Sequence, residues 1–425
     1  MTSTKIPRFN IFYGWWIVAA GMICLLLAGG IGFYTFGAFF IPLIEEFGWS
    51  RAQLSLGMTI ASVMAVAAPL IGSWVDKYGA RIVMAVGAVV TGAAFALLGL
   101  THSLWYFYLM CLILASGHFG ILNIPVTKVV SNWFVKRRGL ALGITLTGFG
   151  LGGLFMLPLA SQLISTLDWQ WAFHILGLII VVVLVPLSIF VIRERPEGKG
   201  LLPDGKREKQ VKRISTAEAQ AGTSWTFSSA IKAKNFWLIV GAFTLAYFGT
   251  AAIITHAIPF FQDMGVSPQL AAMMLATATG VSIPSRVAAG YIADRVSVRY
   301  VTIFAFLLQL LGLVILLQAG SPAILWVFVV VFGLAMGAMF ALEPLVVSEY
   351  FGLASFGAIY GGLWALEAAG WAGGAPLAGH IFDTTGSYNL ALIIFIATTL
   401  LAMALILLLK PAFRSSRGQI SLTDR

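Results

Sequence analysis

The chain has 425 residues, 60% of them hydrophobic and only 10% charged, with a mean hydropathy of +0.94. An average soluble domain is about 45–50% apolar and about 25% charged, so a compact soluble enzyme of this length is excluded and lipid must solvate most of the surface. The net charge of +10 invites a nucleic-acid reading, which the position of the charges removes below.

Residues 1–13 carry Lys5 and Arg8 ahead of a long apolar run without a small-residue cleavage site, which reads as a retained first span rather than a removed signal peptide. Twelve apolar segments follow, at roughly 13–41, 52–75, 82–101, 104–131, 138–165, 170–192, 235–262, 268–293, 299–319, 322–350, 355–382 and 387–409. Each is near the length of about 20 residues that a helix needs to cross a bilayer. The predicted fold is all-α and polytopic: twelve transmembrane helices in two six-helix repeats. The expected division is 1–193 for the first half, 194–234 for a linker and 235–425 for the second half with a short tail. The stretch from Arg193 to Lys234 holds ten Lys or Arg and five Asp or Glu. Its last part, with Trp225, Phe227 and Ile231 amphipathically spaced, is expected along the headgroups.

An even helix number puts both termini on one side. Lys5, Arg8, Lys77, Arg81, Lys136 to Arg138, the linker, Arg295, Arg299, Lys410 and the C-terminal arginines fall there, while the other loops hold Arg51 beside Glu45, Glu46, Asp168, Asp263 and Asp383. Positive charge collects in cytoplasmic loops, so both termini are expected in the cytoplasm and the protein in the plasma membrane, a bacterial inner membrane. The excess charge is topological and implies no nucleic acid. Cys24 and Cys111 both lie inside apolar runs, so no disulfide framework or metal-ligand spacing is present, and no cofactor or obligate protein partner is implied.

A repeat sets the architecture. Gly72, Asp76 and Arg81 recur as Gly290, Asp294 and Arg299, and Gly139 and Gly143 recur as Gly357 and Gly361, each 218 residues on. Two six-helix repeats joined by a linker are the plan of a transporter whose halves rock about a midplane site.

The segment GSWVDKYGAR, Gly72 to Arg81, resembles the signature between helices 2 and 3 of the major facilitator superfamily, and GYIADRVSVR is a weaker second copy. The resemblance implies that Asp76, Arg81, Asp294 and Arg299 form a conformational latch at the cytoplasmic side. Ion pairs present in one state only would bias the two-state equilibrium. The run WFVKRRGLALG from Trp133 to Gly143, continuing to Gly148 and Gly152, resembles the helix 5 signature of monocarboxylate transporters, with Thr145 and Thr147 where that family has Ala. The opening Tyr13-Gly14-Trp15-Trp16 is similar to helix 1 of bacterial members and of oxalate/formate exchangers.

Ionisable residues at lipid depth are costly and are functional candidates by default. Arg286 is the cation well inside the eighth segment, on a face with Thr279 and Ser282. Lys128 lies near a helix end, where it can snorkel. The fourth segment has a polar stripe of Ser116, Asn123, Thr127 and Ser131. A guanidinium in a wet cavity donates two parallel charge-assisted bonds to a carboxylate, and Asn123 can hold a hydroxyl or the second oxygen. The competing reading is a structural pair of Arg286 with Glu343 or Glu367. The helix 8 arginine of monocarboxylate transporters aligns with Arg286. The second cation that oxalate/formate exchangers carry in helix 11 is missing, since Tyr360, Trp364, Glu367 and Trp371 stand there. One cation suits one carboxylate, so the expected substrate is a small monocarboxylate such as lactate or pyruvate, with Tyr34, Leu151 and Trp364 as cavity walls. The Lys and Asp of the animal proton relay align with Tyr34 and Ser282, which leaves Glu367 and His256 as the proton-coupling candidates. The alternatives are an organic-anion exchanger without proton coupling and a membrane-embedded enzyme. The latter is disfavoured because no nucleophile with a base and no phosphate loop is present.

Overall fold

A computed structural model describes residues 12–50, 53–54, 56–57, 64–121, 123–205 and 225–410, and no strand occurs among them. Arg51 and the expected cationic residues before Phe12 and beyond Lys410 lie outside the described residues. A run of apolar side chains in lipid must satisfy its backbone within the segment, and the helix does so. We number the helices α1 (Tyr13–Gly29, continuing through a π-helical turn Gly30–Tyr34 and a 3-10 turn Phe36–Phe39 to Phe40–Phe47), α2 (Ala68–Tyr78), α3 (Ala80–Leu98), α4 (Leu104–Ile121 and Asn123–Trp133), α5 (Arg138–Thr166), α6 (Trp169–Pro186), α7 (Lys234–Asp263), α8 (Pro268–Ala293), α9 (Val298–Leu317), α10 (Pro322–Phe351), α11 (Phe356–Thr385) and α12 (Asn389–Leu407). Local chemistry sets several ends. Asp168 accepts from Trp171 N at the start of α6, Ser267 followed by Pro268 opens α8, and Gly386 in the left-handed region closes α11.

Among the described residues ten helices are long and apolar enough to cross a membrane. The remaining two, α2 and α11, are exceptions for physical reasons: part of the second segment lies outside the described residues, and α11 dilutes its apolar side chains with glycines and Glu367.

Within the first six helices α1 packs on α5, and α3 packs on α4 and α6. Within the last six α7 packs on α11, and α9 packs on α10 and α12. Adding six to each number in the first set gives the second, so the repeat in the sequence is a repeat in space. Among the described residues the two most extensive contacts between the sets are α5 with α8 and α2 with α11, and they too are related by this operation.

Those crossings are built on the repeated glycines. Gly72 faces the backbone of Gly357, and Gly290 faces the backbone of Gly139; a Cβ at any of the four would overlap the opposing main chain. The next pair follows the same rule: Gly143 lies against the carbonyls of Arg286, and Gly361 against those of Ala68. Small residues allow such an approach where no hydrophobic force drives helices together in lipid. All four contacts lie toward one end of the bundle, where the basic loops also gather, hereafter the basic end.

The chain after α6 stays with the first six helices. Trp133 Nε1 donates to Arg193 O (2.7 Å), Asn132 donates to Glu194 O (3.1 Å), and Glu194 Oε2 accepts from Ala80 N (2.8 Å). Asp204 accepts from Val135 N and Lys136 N (3.2 and 2.8 Å). The segment expected along the headgroups instead docks onto protein: Trp225 packs edge-on to Phe351, and the Phe227 ring covers Gly362.

Candidate functional site

Asp76 and Asp294 occupy equivalent positions across the two crossings. Asp76 accepts from Gly357 N (3.0 Å) and Ala358 N (2.9 Å) at the start of α11. Asp294 accepts from Gly139 N (2.7 Å) and Leu140 N (2.9 Å) at the start of α5. Each carboxylate of one repeat therefore caps a helix N-terminus of the other, where unsatisfied N–H groups and the helix dipole favour negative charge. The two aspartates expected in the latch are thus engaged at the opposing helix ends. Arg81 is exposed and lines a surface groove with Tyr78 and Arg193, and Arg299 donates to Leu407 O instead. Both arginines emerge a turn past their aspartate, on the outer side of the bundle, whereas the backbone donors stand directly opposite it.

Lys128 also departs from expectation. It does not snorkel; it is 7% exposed, pairs with Asp76 Oδ1 at 2.8 Å and donates to Val75 O at 3.1 Å.

Deeper in the membrane, Pro284 interrupts α8 two residues before Arg286. The arginine is 4% exposed. Its Nη1 donates to Leu146 O of α5 at 2.6 Å, and the guanidinium lies 5.5 Å from the Phe340 ring centroid of α10. Arg286 Nε is buried without a partner. Among the described residues no carboxylate stands within 4 Å of it, so the structural pair with Glu343 or Glu367 is not formed. Arg286 reaches across from the second repeat into the first, and part of its donor capacity is unused.

Tyr34 ends the π-helical turn of α1, a distortion common at functional sites. Its ring packs on Gly153 and at 5.4 Å on Phe149, and its hydroxyl lies in electrostatic range of Arg286. Gly150 is beside the guanidinium, 3.8 Å from Nη1 to the position of an added Cβ. Leu151 follows it, half-buried. Asn123 begins the second part of α4 with its Oδ1 buried and unpartnered, but no bond joins it to Arg286. The polar stripes are partly self-satisfied: Thr127 donates to Asn123 O, and Ser282 donates to Thr279 O at 2.7 Å.

Trp364 packs on Tyr360, their ring centroids 6.1 Å apart, on the face of α11 that carries Glu367. Glu343 and Glu367 are 1% and 3% exposed and meet between α10 and α11. Tyr247 of α7 donates to Glu343 Oε2 at 2.6 Å, and Tyr360 and Trp364 turn toward the same carboxyl group. Glu343 entered the sequence reading only as a possible mate for Arg286. The signal that could have found it is the one that found Glu367, an acid inside a long apolar run. His256 joins neither cluster. Its Nε2 lies 2.9 Å from Ala375 O and its Nδ1 3.2 Å from the Tyr388 hydroxyl, so it ties α7 to α11 away from the basic end. No group of three or more His, Cys, Asp or Glu side chains able to hold a metal occurs among the described residues.

Comparison with known proteins fits this architecture. The profile of the Major Facilitator Superfamily matches residues 22–366. Bovine (Bos taurus) monocarboxylate transporter 13 is 26% identical over 388 residues, covering 90% of this chain and 86% of its own length. The oxalate:formate antiporter of Oxalobacter formigenes is 27% identical over 402 residues, covering 92% and 90%. In structure, the transporter FucP in its outward conformation superposes with a TM-score of 0.66 at 13% identity over 92% of this chain and 98% of its own. The human organic anion transporter MFSD10 gives 0.69 at 16% identity over 95% and 100%.

Proposed function

The chain belongs to the Major Facilitator Superfamily, and from that premise we propose that it carries a small monocarboxylate of the lactate or pyruvate type by alternating access, together with a proton. That it is a membrane transporter and not an enzyme follows from the family and its relatives. The observation that carries the finer reading is Arg286: a buried guanidinium between the two repeats with no carboxylate partner and an unused Nε donor. A desolvated cation of this kind is costly unless an anion joins it, and a single carboxylate completes it. The names of the relatives support the same substrate class. In this reading Tyr34, Asn123 and Leu151 bound the substrate. Trp364 belongs to the wall that holds the acids, and Glu343 and Glu367 offer the proton site. The latch becomes Asp76 and Asp294 on the opposing helix ends. The halves 1–193 and 235–425 rock about this centre, with both termini and the connecting segment on the cytoplasmic face of a bacterial inner membrane.

A second reading, exchange of one organic anion for another, is favoured by the similarity to the oxalate:formate antiporter. A dianion would call for a second cation at the site, and Lys128 is already engaged by Asp76 at the basic end. Purified protein in proteoliposomes, offered a panel of radiolabelled mono- and dicarboxylates with and without a pH gradient, separates the two. Monocarboxylate uptake enhanced by an inward proton gradient is expected. Preference for a dicarboxylate with no response to the gradient would replace the first reading by the second.

A further inference from the structure

Glu343 and Glu367 come from neighbouring helices of the second repeat, and their side chains are in contact. Each is all but fully buried, and in each the Oε1 atom has no donor within bonding distance. Two carboxylate anions cannot share such a place, because like charges at that separation cannot both ionise in a low-dielectric interior. A carboxyl group carrying a proton is a donor as well as an acceptor, so one proton between the two supplies the missing bond. The surroundings say which side carries it. The Tyr247 hydroxyl donates to Glu343 Oε2 at 2.6 Å. Glu343 is thus placed as the acceptor and Glu367 as the acid that donates to it.

The other ionisable groups nearby are few. Besides Tyr247 of α7 and Tyr360 of α11 itself, Arg286 of α8 lies on the other side of Phe340, and Asp76 and Lys128 of α2 and α4 are bound to each other at the basic end. The ionisable residues of α5 and α9 stand near their first turns (Arg138, Arg299, Tyr300), and α12 has none. Among the described residues the neighbourhood therefore contains one fixed cation, Arg286, and one dyad.

We propose that Glu343 and Glu367 act as a single proton-binding unit that holds one proton when the site is empty and two when a carboxylate sits on Arg286. This deepens the symport reading above and rests on it. The charge count carries it. With one proton the dyad is −1 and Arg286 is +1, so the empty centre sums to zero. A carboxylate brings −1 and the second proton +1, and the loaded centre again sums to zero. Either form crosses the low-dielectric part of the cycle without net charge, whereas carboxylate alone would leave −1. The proton enters from water on one face onto Glu343 and leaves to water on the other; no bond other than O–H is made or broken. Two features link the dyad to substrate and to seam. Phe340 lies 5.5 Å from both the Arg286 guanidinium and the Tyr247 ring, and it precedes Glu343 on α10 by one turn. Gly361, which closes on Ala68 across the seam, precedes Glu367 on α11 by under two turns.

The test uses reconstituted full-length protein and two readouts, lactate counterflow and lactate accumulation driven by an inward proton gradient. Glu367→Gln replaces a neutral donor by a neutral donor, so it is expected to lower accumulation less than Glu343→Gln does. Glu343→Gln removes the titrating anion, so it is expected to keep counterflow and lose accumulation. If both variants accumulate lactate as wild type does, the dyad is not the coupling site. If Glu367→Gln alone loses accumulation, the assignment of charge and proton is reversed and the proposal falls. Absence of lactate counterflow in wild type would instead overturn the substrate reading, and the dyad then stands or falls on a third measurement that needs no transport. The infrared spectrum of purified protein at neutral pH is expected to show a protonated-carboxyl stretch that Glu367→Gln removes. If no such band exists in wild type, or if it survives in Glu367→Gln, the dyad does not hold the proton as proposed. This measurement also decides the matter if Glu343→Gln fails to reach the membrane.

Discussion

At the basic end Asp76 and Asp294 each place both carboxylate oxygens on backbone N–H groups of the opposite repeat. At the depth of Arg286, by contrast, Nε of that arginine and one oxygen each of Glu343 and Glu367 are buried without a donor or acceptor. The first pair of carboxylates is bonded through both oxygens, reciprocal and built from the repeated residues. The second region is unsatisfied and departs from the repeat, since the position 218 residues before Arg286 is Ala68. Buried polar groups are nearly always paired in a finished structure, so the unpaired set marks where something else is expected to bind. Symmetry here serves closure, and the breaks in symmetry serve chemistry.

The strongest way to break that contrast is at Arg286. Arg286→Ala should weaken carboxylate binding by about 2–5 kcal/mol, which is tens- to thousands-fold in Kd, while expression and helicity are kept. Arg286→Lys should fall short of rescue, because an ammonium lacks the planar fork. Equilibrium binding of labelled lactate reads both, and wild-type affinity in Arg286→Ala would remove the site.

Next in size is the seam. Asp76→Asn and Asp294→Asn each weaken two hydrogen bonds to a charged acceptor, a loss of about 3 kcal/mol in the state closed at the basic end. That is about a hundredfold in the ratio of states. Single cysteines reacted with impermeant reagent from either face should show the basic end opening in both variants, with turnover altered more than affinity. Arg81→Ala should do much less than Asp76→Asn; equal effects would restore the ion-pair latch that the geometry replaces.

Gly72→Val should act in the same direction through volume alone. Overpacking costs about 1–3 kcal/mol, and the added group would meet the backbone of Gly357. Gly290→Val, its equivalent, should match it. A large difference between the two by the same cysteine assay would show the crossings to be unequal.

The smallest effect is expected at His256. His256→Ala loses two hydrogen bonds of about 1 kcal/mol each and should lower thermal stability modestly. Proton-driven accumulation should remain, and its loss would return His256 to the coupling path.

The fold was legible because it rests on signals that a single chain carries: apolar runs of spanning length, loop charge, and a 218-residue offset shared by two motifs. Arg286 was legible for the same reason, as a cation in an apolar run. What was not legible depends on which helices face each other. Asp76 sits beside Arg81 in the sequence, but its partners are N–H groups of Gly357 and Ala358, and backbone donors have no residue identity to read. Lys128 counted as near a helix end, and only the approach of α2 shows it buried against Asp76. Glu367 was found by its cost in lipid, yet its meaning changes once Glu343 stands beside it.

The glycine crossings have one more consequence. Because Gly72 meets Gly357 while Gly290 meets Gly139, the seam is isologous: the same patch is used twice about a local dyad axis, as in a homodimer. Two identical six-helix subunits could form such a seam, but they would present every side chain in duplicate at the axis. A lone guanidinium would become a pair of mutually repelling cations, and one buried acid pair would become two. Covalent fusion of the subunits lifts that constraint and allows an odd number of charges on the axis. Arg286, whose equivalent in the first repeat is Ala68, is such an odd count, and it is a stoichiometry of one that a single carboxylate ion requires.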